Sequence, residues 1–254
     1  MTVLAVVVAH PDDETFGCGS VLLRAAARGV RTVVVCATRG EAGEVHERVQ
    51  VPAGGVAALR EAELRAAAAA LGVDDVVLLD FRDSGMDGPC APDTLSGAPF
   101  DLVVDSLAAA LEPVHPDVVV TLDGSDGHRD HRRVRDALDV VLDGTGTPLY
   151  RHALPRSLMR EWVRHHQGDA AAAAYTTNPS IGTPDEEVTT VLDASDHYGD
   201  RLEAIALHRS QGSPFDGLPE QLRRAFLATD HLVRADPPWT GGEQERELLG
   251  LPWS

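Results

Sequence analysis

Four short runs of β-branched and apolar residues constrain this chain most: Val3 to Ala9, Thr32 to Ala37, Val76 to Leu79 and Val118 to Leu122. Each has the continuous apolar character of a strand buried on both faces. Between them lie stretches with helical periodicity, Gly19 to Arg28, Val56 to Leu71 and Phe100 to Leu111. The order β-α-β-α-β-α-β calls for a mostly parallel sheet with helices on both faces, because parallel strands need right-handed crossovers and helices supply them. The expected fold class is therefore α/β and Rossmann-like. Further along, a helix is expected to continue to about Leu142, strands over Leu149 to Leu154 and Glu187 to Leu192, and a helix over Tyr198 to Arg209. The alanine run Ala170 to Ala174 reads as a helix end, followed by a long loop around Thr176 to Pro184. No linker-like stretch divides the chain, so 1–254 reads as one domain.

In such sheets ligands bind outside the carboxyl ends of the strands, so the polar residues that follow each strand are the ones to read for chemistry. His10, Pro11, Asp12, Asp13 and Glu14 follow the first strand directly. Taken alone, that turn suits a helix cap as well as a metal site. Gly127, His128, Arg129, Asp130 and His131 follow the fourth strand, and alone they read best as a solvated helix start. The convergence of both clusters on one edge of one sheet favours a shared site. Two histidines and a carboxylate are a common set of protein ligands for a catalytic zinc, with a fourth position left for water. Asp12 and Glu14 then remain as carboxylates able to move protons.

Composition removes whole classes of function. No lysine occurs anywhere, which excludes Schiff-base, phosphate-loop-lysine and serine-lysine chemistry. With 22 basic and 40 acidic side chains the net charge is −18, unsuited to a phosphate backbone, so nucleic acid is not an expected partner. The N-terminal apolar stretch is too short and lacks the basic flank for export or membrane insertion. Cys18, Cys36 and Cys90 form no C-x-x-C pair, which fits a reducing cytoplasm. No G-x-S-x-G elbow follows a strand, which disfavours a serine hydrolase. Gly17 and Gly19 lie where a dinucleotide-binding loop would put glycines, but Leu22 takes the third position and Asp12 and Asp13 oppose a pyrophosphate. Those glycines read instead as places where helix and strand pack closely.

Taken together, Ala9 to Glu14, the Thr38 to Gly43 segment and Gly127 to His131 resemble the LmbE/PIG-L family of zinc-dependent N-deacetylases. Arg60 to Glu63, Asp83 to Met86 and His208 to Gln211 strengthen the likeness, which spans roughly residues 3–212. The resemblance implies that His10, Asp13 and His131 hold zinc, with iron or another divalent ion as the alternative. It makes Asp12 the base that takes a proton from the attacking water and later returns one to the leaving amine. His128 matches an oxyanion-stabilising histidine, Asp130 a carboxylate that pairs with it and favours its charged form, and Arg60 and Asp83 contacts to sugar hydroxyls.

The implied activity is removal of an N-acetyl or other N-acyl group from an N-acetylglucosamine-type small-molecule conjugate. An amidase of a larger thiol or antibiotic conjugate, or a non-catalytic sugar- or metal-binding module, shares much of the same site. Asp126 departs from the tyrosine that some thiol-pathway members carry two residues before the oxyanion histidine, and a carboxylate cannot donate to an oxyanion unless protonated. Glu14, Glu41 and His208 receive no assigned role, and the oligomeric state is open.

Overall fold

The computed structural model describes residues 1–251. Among the described residues, seven strands form one sheet in the order β3-β2-β1-β4-β5-β7-β6. They are β1 (Val3–Val8), β2 (Arg31–Cys36), β3 (Asp75–Leu78), β4 (Val118–Leu122), β5 (Leu149–His152), β6 (Thr190–Asp193) and β7 (Thr229–Asp236). The first five pair in parallel, while β7 runs antiparallel to both of its neighbours. The nine α-helices among the described residues are α1 (Asp13–Phe16), α2 (Gly19–Ala27), α3 (Gly55–Ala70), α4 (Phe100–Leu111), α5 (Arg129–Leu142), α6 (Arg156–Gln167), α7 (Asp169–Thr177), α8 (Tyr198–Ile205) and α9 (Glu220–Leu227).

The two-residue period of β1 explains why it needs helices on both sides. Leu4, Val6 and Val8 pack into one layer with Val21 and Leu22 of α2, while Val3, Ala5 and Val7 pack into the other with Val103, Leu107, Val134 and Leu138 of α4 and α5. A third apolar cluster, around Met159, Val163, Phe215 and Phe226, lies among α6, α8, α9 and the segment before α9.

Several elements depart from the sequence-based expectation. β3 is not buried on both faces. It ends the sheet and pairs only with β2, leaving Asp75 exposed and Val76 to Leu78 half-buried. The alanine run does not end a helix. It forms the body of α7, whose apolar side packs Ala172 and Tyr175 inward. The expected strand at Glu187 to Leu192 starts later, as β6, and the helix from Tyr198 stops at Ile205. Helices α6 and α9 and strand β7 were not anticipated. In α6, Leu158, Met159, Trp162 and Val163 recur on one helical face, a signal present in the sequence.

The C-terminal elements bear directly on the N-terminal turn. Arg201 of α8 is fully buried and pairs with Asp230 of β7 at 2.8 Å. Its Nη2 donates to the carbonyls of Phe16 (2.6 Å) and Gly17 (3.3 Å), and its Nε to that of Thr15 (3.3 Å). A cation therefore neutralises the carbonyl end of α1 from behind.

Candidate active site

The chain reverses its direction of sheet growth between β1 and β4, which are neighbours, and this leaves a crevice at their carboxyl ends. His10 to Glu14 emerge from β1 on one side of the crevice. His128 to His131 follow β4 on the other. Gly17 lets these two walls approach, since a Cβ there would stand 2.5 Å from Cδ2 of Leu122. The expected packing role of that glycine is thus visible.

Three candidate ligand atoms form a compact triangle. Nδ1 of His10 lies 3.4 Å from Oδ2 of Asp13, Nε2 of His131 lies 3.2 Å from the same oxygen, and the two nitrogens are 3.3 Å apart. Tetrahedral ligands about 2.1 Å from a zinc ion stand about 3.4 Å from one another, so the donor set fits such an ion in spacing and in chemistry. The charge balance fits as well. Burial disfavours protonation of both imidazoles, yet Asp13, Asp130 and Asp83 raise His10 well above its ordinary value. Asp13 and Asp126 likewise raise His131 to about 10 against its burial. This pocket of carboxylates is built around positive charge.

The far sides of both histidine rings are held in place. Nδ1 of His131 meets Oδ2 of Asp126 at 2.5 Å, which turns its Nε2 toward Asp13. Nε2 of His10 meets Oδ2 of Asp130 at 3.3 Å and Oδ1 of Asp83 at 3.4 Å. The Asp130 carboxylate also accepts from the backbone N–H of Ser84 (2.9 Å) and from the hydroxyl of Ser96. The sequence gives no sign that Asp126, Ser84 and Ser96 hold the ligand rings. Asp126 stands where a tyrosine was the comparison, and its role depends on a ring five residues away in sequence.

This arrangement corrects the pairing expected for His128. The Asp130 carboxylate faces His10, whereas Nδ1 of His128 accepts from the backbone N–H of Asp130 at 3.2 Å and caps α5. Burial, then the neighbouring His10 and His131, pull His128 down to about 4. The ring is therefore neutral rather than charged. With Nδ1 as acceptor, the proton is assigned to Nε2.

Asp12 occupies a strained backbone position at φ 109°. Its N–H donates to Oε2 of Glu14 (2.9 Å) and its carbonyl accepts from Thr15 and Phe16. Burial, partly offset by Arg60, pushes its carboxyl up to about 7. Arg60 donates to Oδ2 of Asp12 (3.0 Å), to the carbonyl of Gly40 (2.6 Å) and to that of Pro11. It is only 3% exposed and backs Asp12. Asp83 is also buried and accepts from the N–H groups of Gly85 (2.8 Å) and Ala42 (3.3 Å).

The remaining motif residues brace the same turn. Nε2 of His208 meets Oε1 of Glu14 at 2.7 Å with both side chains fully buried. Ser210 binds both oxygens of Glu63 through its N–H (2.9 Å) and hydroxyl (2.5 Å), which fastens the His208 segment to α3.

A family model described as GlcNAc-PI de-N-acetylase, PIG-L, matches residues 5–142, more than half of the chain and every residue of the triangle. The chain belongs to the PIG-L family. A relative from Thermobifida fusca (strain YX), named 1D-myo-inositol 2-acetamido-2-deoxy-alpha-D-glucopyranoside deacetylase, is 37% identical to this PIG-L member over 238 residues, covering 82% of each chain. Among solved structures, the N,N'-diacetylchitobiose deacetylase from Pyrococcus horikoshii is similar with a TM-score of 0.60 and 20% identity, over 92% of this chain and 83% of the other. The 4-carboxy-2-hydroxymuconate hydratase from Pseudomonas putida is similar with a TM-score of 0.59 and 20% identity, over 95% and 99%. One PIG-L-like fold thus carries a deacetylase in one protein and a hydratase in another, so fold alone does not name the reaction.

Proposed function

We propose that this PIG-L member is a metal-dependent hydrolase that removes the N-acetyl group from an N-acetylglucosamine-type conjugate. The observation that carries the reading is a triangle of two imidazoles and a carboxylate at metal-ligand spacing, with the half-buried Asp12 carboxylate beside it held by Arg60 at 3.0 Å. The named activity of the Thermobifida relative supports the same reaction. Zinc is the proposed ion for the His10, Asp13 and His131 set, and iron or another divalent ion suits the same donors.

When bound, the cation polarises the amide carbonyl and makes water a stronger acid. Asp12 accepts the proton of the attacking water and delivers it to the amide nitrogen as the C–N bond breaks. Arg60 keeps the Asp12 carboxylate aimed during both transfers. The neutral His128 donates from Nε2 to the oxygen that gains charge, without having to lose a proton from an imidazolium. Asp126, Asp130 and Asp83 hold the ligand rings at the angles the triangle requires. Cys18 and Cys36 are buried free thiols, which supports a reducing compartment such as the cytoplasm as the place of action. No helix among the described residues is long and apolar enough to cross a membrane.

The test is metal content of the purified protein together with acetate release from a panel of N-acetylglucosamine conjugates, before and after chelation and zinc add-back. Near-stoichiometric metal with chelator-sensitive acetate release is expected. Bound metal with no release from any conjugate would overturn the deacetylase reading, and protein that takes up no metal would overturn the site.

A further inference from the structure

A cavity of about 290 Å³ opens directly beside the triangle, and its polar end is formed by Asp13, Asp126 and His131. Asp123 and His152 also line it, and the rest of its wall is apolar, chiefly Leu154, Met159, Trp162, Ile181, Phe215 and Phe226. Nε1 of Trp162 donates to the carbonyl of Pro214 at 3.0 Å, which fastens the Phe215 segment over α6. Inositol and sugar hydroxyls would lose their water against such a wall with few partners to replace it. An acetyl methyl is similar in size to a water, whose share of liquid volume is about 30 Å³, so it leaves most of this space unfilled.

The direction of the reaction tells which end of a substrate meets the cavity. Asp12 and Arg60 do not line it, whereas two candidate metal ligands do. The amine that departs must lie against Asp12, because Asp12 protonates it. The other substituent on the carbonyl carbon therefore points away from Asp12, toward Asp13, His131 and the apolar wall. We propose that the cavity is an acyl pocket, and that this protein prefers N-acyl amino sugars whose acyl group is an alkyl chain several carbons longer than acetyl. Those six residues lie beyond residue 142, outside the stretch matched by the family model, while Phe16, Gly17 and Leu122, which also line the cavity, lie inside it.

The inference rests on the hydrolase reading for its orientation, and two measurements keep the two separable. The first is kcat/KM for amine release by the zinc-loaded protein from N-acetyl-, N-butanoyl- and N-hexanoylglucosamine. The second is calorimetric binding of the same compounds to the chelator-treated protein. Both are expected to improve with chain length, by up to about fourfold per methylene buried, with a more negative heat-capacity change for the longer chains. In Met159→Trp, which narrows the cavity, the hexanoyl-to-acetyl ratio is expected to fall in both measurements.

Acetyl turnover with no gain from longer chains would overturn the acyl pocket and leave the hydrolase reading standing. A gain from an octyl aglycone on N-acetylglucosamine, with none from a longer acyl chain, would likewise overturn it. A chain-length gain in binding that Met159→Trp reduces, with no amine released from any compound, would overturn the hydrolase reading while retaining the cavity as an alkyl-binding site.

Discussion

Oδ2 of Asp126 lies 2.5 Å from Nδ1 of His131, while Nε2 of the same ring lies 3.2 Å from Oδ2 of Asp13. One imidazole is thus clamped between two carboxylates, one shared with the candidate metal triangle and one behind it. Asp126→Ala removes the rear clamp and frees the ring to rotate. Metal affinity is expected to fall by about 10- to 100-fold, with Asp126→Asn recovering part of the loss. Competition titration against a chromophoric chelator reads this directly, and an unchanged affinity would show that Asp126 does not set the ring.

Asp12 separates catalysis from metal holding. Asp12→Asn keeps the shape and the contact with Arg60 but cannot carry the proton. Turnover is expected to fall by about 10²- to 10⁴-fold while bound metal stays near the level of the unaltered protein. His131→Ala should lose both. Comparable turnover in Asp12→Asn and the unaltered protein would remove Asp12 from the reaction.

His128 is read as a neutral donor that caps α5, not as a ligand. His128→Ala is expected to lower kcat by about 10²- to 10³-fold with metal content intact. Elemental analysis of the purified variant decides the matter, because loss of the metal would make His128 a ligand and end its assignment to the oxyanion.

Arg201 and Asp230 are a buried pair whose partners would be left charged and unmatched. Arg201→Met is expected to cost about 3 to 5 kcal/mol of stability in urea unfolding. Because Asp230→Leu would remove the orphaned carboxylate, the double variant is expected to be more stable than Arg201→Met alone. A double variant no better than the single one would show that the carbonyls of residues 15–17, rather than Asp230, are what need Arg201.

His152 gives stability a pH dependence of known sign. Its ring is buried, and burial, with Arg201 and His231, drives it down to about 3. The unfolded chain takes up the proton near pH 6.5, while the native state does so only near 3. The neutral ring's contribution is therefore complete above about 6.5 and is lost as pH falls from there toward 3. His152→Gln cannot titrate, so the difference in unfolding free energy between the two proteins should shift by up to about 1.4 kcal/mol per unit between pH 6.5 and 4. A difference that stays constant across that range would contradict the buried neutral ring.

The sequence by itself determined the parallel half of the sheet and the place of the chemistry. The runs in β1, β2 and β4 are local signals, and chain order with right-handed crossovers leads from them to a crevice at the ends of β1 and β4. Residues in one short turn, such as His10, Asp12 and Asp13, could be read as a group because at most three positions separate them.

Tertiary structure alone decided which carboxylate serves which ring, since that depends on rotamers and on loops meeting across the crevice. Asp130 turned to His10 rather than His128, and Asp126 to His131. Arg60 lies nearly fifty positions from Asp12 in the chain and backs its carboxylate in space. The cavity wall is the extreme case. Met159, Trp162, Phe215 and Phe226 are ordinary core-forming residues in sequence, and only the packing of α6, α9 and the loop before α9 left a space between them beside the triangle.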